Sequence, residues 1–108
     1  MTVISGSTGT TGASGATITL TGGGITPSSV TISIGQSVTF VNTDTRSHEI
    51  ASNPHPQHGS CPSIERGLAT LTAGQTKLTQ GFAGAGTCGF HDHLDSANPN
   101  FMGTIIIR

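Results

Sequence analysis

The sequence predicts a β-sandwich on three observations. Apolar residues recur at every second position in several short runs. Turn residues separate those runs at roughly the 8–12-residue spacing of small sandwich domains. Runs of strong helix formers are scarce, while the chain holds 16 Gly, is rich in Thr and Ser, and lacks Trp and Tyr.

The elements follow in order. Ile18 and Leu20 alternate with Thr17, Thr19 and Thr21, and Val30, Ile32 and Ile34 alternate with Thr31 and Ser33. Gly35 and Gln36 turn the chain, after which Val38 and Phe40 alternate with Ser37 and Thr39. Each run has the period of a strand with one buried face. Asn42, Thr43 and Asp44 end the last of these with turn chemistry. Glu49 to Ser52 reads as a short strand starting just after His48. Leu68 to Leu71 and Lys77 to Phe82 read as two strands around the Ala73-Gly74 turn. Gly86 to Phe90 and Thr104 to Ile107 complete the set. Pro62 to Arg66 is the one place suited to a turn of helix. Asn53 to Gly67 is a long insertion rich in Pro and His, and insertions of that length are often functional.

Length and charge bound the function. A chain of 108 residues makes one domain. Charged residues are 8% and the net charge is −1, so no basic surface argues for nucleic acid or anionic lipid. No apolar run is long enough for a transmembrane helix. Ser5 to Gly15 is uncharged and low in complexity, which reads as a flexible linker over residues 1–15, with the domain over residues 16–108. Such a linker before a small β domain suits an exported protein, periplasmic or extracellular and tethered, whose signal has been trimmed.

The chemistry gathers in one motif. Cys88, His91 and His93 fall within six residues, and His48 stands forty positions before Cys88. One thiol and imidazoles brought from two segments form a donor set for copper or zinc. Asp92 and Asp95 are placed to orient imidazoles, although surface acids are the default there. Asp44 and Arg46 are placed to pair near His48. His55 and His58 read first as solvated loop histidines, and Met102 as a core or rim apolar residue. No Ser/His/Asp arrangement or carboxylate pair stands out, so the chain reads as a non-enzyme.

In this order the segments resemble the cupredoxins, the plastocyanin and azurin group. Ser29 to Asn42 resembles their early strands, and Asp44 to Ile50 the strand that brings their first copper histidine. Leu71 to Gln75, then Gly86 to His91, resemble their turn, strand and Cys-x-x-His ending. Gly103 to Ile107 resembles the closing strand. The resemblance covers about residues 16–108. It implies an antiparallel Greek-key β-sandwich with a copper site at one end, His48, Cys88, His91 and His93 being the metal residues. It also implies a monomeric one-electron carrier that meets a redox partner protein.

The chain departs from that pattern in three places. A second His, His93, follows the Cys-x-x-His spacing. Met102 comes nine residues after His93, far for an axial ligand. A second cysteine, Cys61, lies in the insertion. Two cysteines in an exported protein usually pair, and a Cys61–Cys88 disulfide would take the thiolate from the metal. Two functions therefore stand side by side. One is a carrier with Cys88 bound to copper. The other is a histidine-bound copper storage, delivery or sensing protein, meeting a copper donor or acceptor and built on His48, His91 and His93, with His55 or His58 as possible additions.

Overall fold

The computed structural model describes residues 13–54 and 59–108. Among the described residues, nine strands and one helix follow in order: β1 (Ser14–Thr21), β2 (Gly24–Thr26), β3 (Ser29–Ile32), β4 (Ser37–Asn42), β5 (His48–Ser52), α1 (Pro62–Leu68), β6 (Thr70–Leu71), β7 (Thr76–Leu78), β8 (Gly86–Asp92) and β9 (Met102–Ile107). Single 3-10 turns lie at His93–Asp95 and Pro99–Phe101. None of the described helices is long and apolar enough to cross a membrane.

The strands form two sheets, ordered β2-β1-β4-β7 and β3-β9-β8-β5-β6. The sandwich expected from the alternating runs is present. Most ladders are antiparallel, and two are parallel: β1 with β4 and β3 with β9. The parallel pairs arise because β3 belongs to the opposite sheet. The chain leaves the first sheet after β2 and returns in β4 running the same way as β1.

The period-two residues make the core. Ile18, Leu20, Val38 and Phe40 face inward from one sheet, and Ile50, Phe90, Ile105 and Ile107 from the other. Phe40 and Phe90 meet edge to face at 5.4 Å across the layers. Each such side chain contributes roughly 1.5–3 kcal/mol by leaving water. Ile34 breaks the expected alternation at 53% exposure, because β3 stops at Ile32 and the chain turns at Gly35, where φ is +91°.

Two local readings change. β1 begins at Ser14, inside the stretch expected to be linker, because backbone pairing of Ser14 with Ser37 needs no apolar side chain. Residues 1–12 of that expected linker lie outside the described residues. Leu68 closes α1 rather than opening a strand; with Ile64 it fills the core from the helix. Pro62 at the first turn starts α1, as its fixed φ favours. Gly67 lets the helix lie directly on the chain beyond β7: a Cβ there would stand 2.3 Å from the Leu78 carbonyl oxygen.

Candidate metal-binding end of the sandwich

β5 starts at His48 and its antiparallel neighbour β8 ends at Asp92, with Ile50 opposite Asp92 and Ala51 opposite His91. Topology therefore brings His48, His91 and His93 to one end of one sheet. Strand alternation then divides them between its faces. His48, Ile50, Phe90 and Asp92 point to the core side, whereas Gly89 and His91 point outward under the Asn53 side chain.

On the core side His48 is 1% exposed and held at both ring nitrogens. Its Nδ1 lies 2.5 Å from Asp92 Oδ2, and its Nε2 lies 2.8 Å from Asp44 Oδ2. Each ring nitrogen thus faces one carboxylate oxygen. The ring stacks on Phe101 at 4.8 Å, and the Arg46 guanidinium lies 5.7 Å from the same Phe101 ring. Arg46 Nε also donates to Asp44 Oδ2 at 3.0 Å. The bonds from His48 and then Arg46 lower the Asp44 carboxyl to about 2 from an ordinary 3.8, against the opposing effect of burial. Asp92, 1% exposed, is no surface acid: its Oδ1 accepts from the backbone N–H groups of Glu49 and Leu94.

On the outer side His91 is 3% exposed, and its Nδ1 lies 2.6 Å from Asn53 Oδ1. His93 opens the 3-10 turn that Asp92 caps. It lines a cavity of about 290 Å³ with Glu49, Ala51, Glu65 and Ala69. Glu65 reaches from α1 to Ser52, accepting from the Ser52 amide and hydroxyl. Asp95 accepts from Asn98 Nδ2 at 2.9 Å. Met102, opposite His91 on β9, is 40% exposed and so a rim residue. His55 and His58 lie outside the described residues.

The thiolate expectation for Cys88 is corrected here. Cys88 is bonded to Cys61 in a disulfide, and no free cysteine remains. Register gives a second reason. Cys88 precedes Asp92 by four residues on β8, a rise of roughly 13 Å, so Cys88 could not share an ion with His48 even as a thiol. The β8 residue that meets His48 is Asp92. Among the described residues, no three His, Cys, Asp or Glu side chains are grouped so as to hold a metal ion. The residues therefore do not fit a thiolate–copper centre. The donors that remain are imidazoles and carboxylates, which suit copper(II) by their chemistry.

Comparison with solved structures places this architecture. A purple cupredoxin from Nitrosopumilus maritimus superposes with a TM-score of 0.63 at 20% identity, over 86% of this chain and 99% of the other. Plastocyanin from the fern Dryopteris crassirhizoma gives 0.66 at 17% identity, over 85% and 99%.

The chain has the cupredoxin fold.

A variant of amicyanin in its Cu(I) form shares that fold with a TM-score of 0.61 at 17% identity, over 87% of this chain and 82% of the other. No protein-family model and no curated protein matches the chain. On the cupredoxin fold, the sequence signals for β5 and β8 were sound at the level of element. The sequence offered Asp92 as an acceptor for an imidazole, but only the strand register shows that the imidazole is His48.

Proposed function

We propose that this protein binds copper through imidazole nitrogens, without a thiolate, and holds or delivers the ion in an exported compartment rather than passing electrons. The observation that carries this reading is the Cys61–Cys88 disulfide within a cupredoxin fold. A disulfide sulfur is no thiolate, and the thiolate is the donor on which the carrier reading rested. His91 and His93 are the proposed ligands, on the outer face of β8. An Nδ1 hydrogen bond such as that from His91 to Asn53 is the kind that orients a metal-binding imidazole. Glu49 lines the cavity beside His93, and a carboxylate suits a divalent ion. The disulfide also accords with an oxidising compartment. A copper donor or acceptor protein is the partner this function requires.

The test is the spectrum of the copper(II)-loaded protein alongside its affinity. Only weak visible absorption is expected, and the His91→Ala/His93→Ala double variant is expected to bind copper at least tenfold more weakly. An intense visible band that Cys88→Ser abolishes would restore the carrier and overturn this reading.

A further inference from the structure

The end of the sandwich at His48 is fastened by side chains whose oxygens and nitrogens are already committed. Asp92 uses Oδ2 for His48 and Oδ1 for two backbone amides. Asp44 uses Oδ2 for His48 and Arg46, and Oδ1 for the Thr45 amide. The segments tied together are far apart in sequence: the loop after β4, the first residue of β5, the last residue of β8 and, through the stacked ring, Phe101. A cation approaching Nε2 would have to displace Asp44 and would meet the Arg46 guanidinium behind it. One approaching Nδ1 would have to pull Asp92 from a buried site where it caps the following turn.

We propose that Asp44, His48 and Asp92 form a metal-free clamp, a carboxylate–imidazole–carboxylate bridge that closes this end of the cupredoxin fold, and that His48 takes no part in copper binding. The bridge makes the cross-strand connection that a bound ion would otherwise make. The imidazole bridges the two carboxylates, and the Arg46 guanidinium bonds to one of them. The inference goes beyond the copper reading and does not depend on it.

The experiment compares chelator-treated parent, His48→Gln and Asp92→Asn by thermal melting, and then titrates each with copper(II) by calorimetry. The clamp predicts that His48→Gln melts about 10 °C or more below the parent without metal. Asp92→Asn is expected to fall several degrees. Copper affinity should stay within about twofold of the parent in both. A tenfold or greater loss of copper affinity in His48→Gln would overturn the proposal, as would metal-free melting within about 2 °C of the parent. If His48→Gln does not fold, Asp92→Asn decides. Tighter copper binding once Nδ1 is released would make His48 a ligand; lower melting with unchanged affinity supports the clamp. If the parent binds no copper, the preceding reading fails while the melting comparison still tests the clamp.

Discussion

At the scale of single residues, the carboxylates around His48 are the least ordinary feature. Asp44 is held at about 2, chiefly by its bond from His48 and next by that from Arg46. A carboxyl whose value is lower in the folded state adds stability above its unfolded value and loses it as pH falls through the folded one. The window here runs from 3.8 down to about 2. Asp44→Asn is therefore expected to be less stable than the parent at neutral pH, with the gap narrowing through that window; acid titrations followed by circular dichroism will read it. The Asp44–Arg46 pair near His48 was legible in the string of residues; the partners of the two ring nitrogens were not. A histidine followed by Glu49 and Ile50 announces a strand start, but the partner of each ring nitrogen depends on register. Asp44 lies four residues back and was legible as a neighbour; Asp92, 44 residues on, was legible as an acceptor for an imidazole but not as the partner of this one.

At the scale of elements, strands with one apolar face were legible because a period of two has one structural meaning on a half-buried sheet. β1, β3 and β4 sit where alternation put them, and β5, β8 and β9 where the sequence placed further strands, to within a few residues. α1 was legible at its proline and blurred at its end, where the apolar residues of Leu68 to Leu71 suit a strand equally well. The helix terminates at Ala69, whose φ of +49° is a conformation that side chains rarely adopt. Glycine carries no Cβ to resist it. Ala69→Gly is expected to raise stability by about 1 kcal/mol, measured as a higher urea midpoint at unchanged slope. The same helix is tied to β5 by Glu65 and to β8 by the disulfide at Cys61, the residue just before its first turn. One short element thus bridges two strands of the sheet that carries the histidines.

At the scale of the whole molecule, the disulfide closes a 27-residue span from the insertion into the core of β8. In the chain-entropy model a loop of that size stabilises by about 3–4 kcal/mol. Cys61→Ser and Cys88→Ser are each expected to lose about that much in chemical denaturation, with the double variant no worse than the single ones beyond additive packing effects. Equal losses would mark a shared bond, where a thiolate ligand would make only Cys88 matter to metal. The even cysteine count made the pairing a legible alternative in the sequence. The motif around Cys88 argued the other way, because spacing alone does not show that it lies one full strand's reach from His48.

Strand order has a consequence for how the molecule comes into being. β9 sits between β3 and β8, so two neighbours separated by more than fifty residues wait for the same late segment. Until residues 102–107 have left the ribosome, the larger sheet is two unjoined pieces, and Phe90 and Ile50 have only part of their cover. Contacts of such long range are slow to form. One strand thus joins the larger sheet, and pairing of residues 102–107 with both neighbours completes the cover over Phe90 and Ile50.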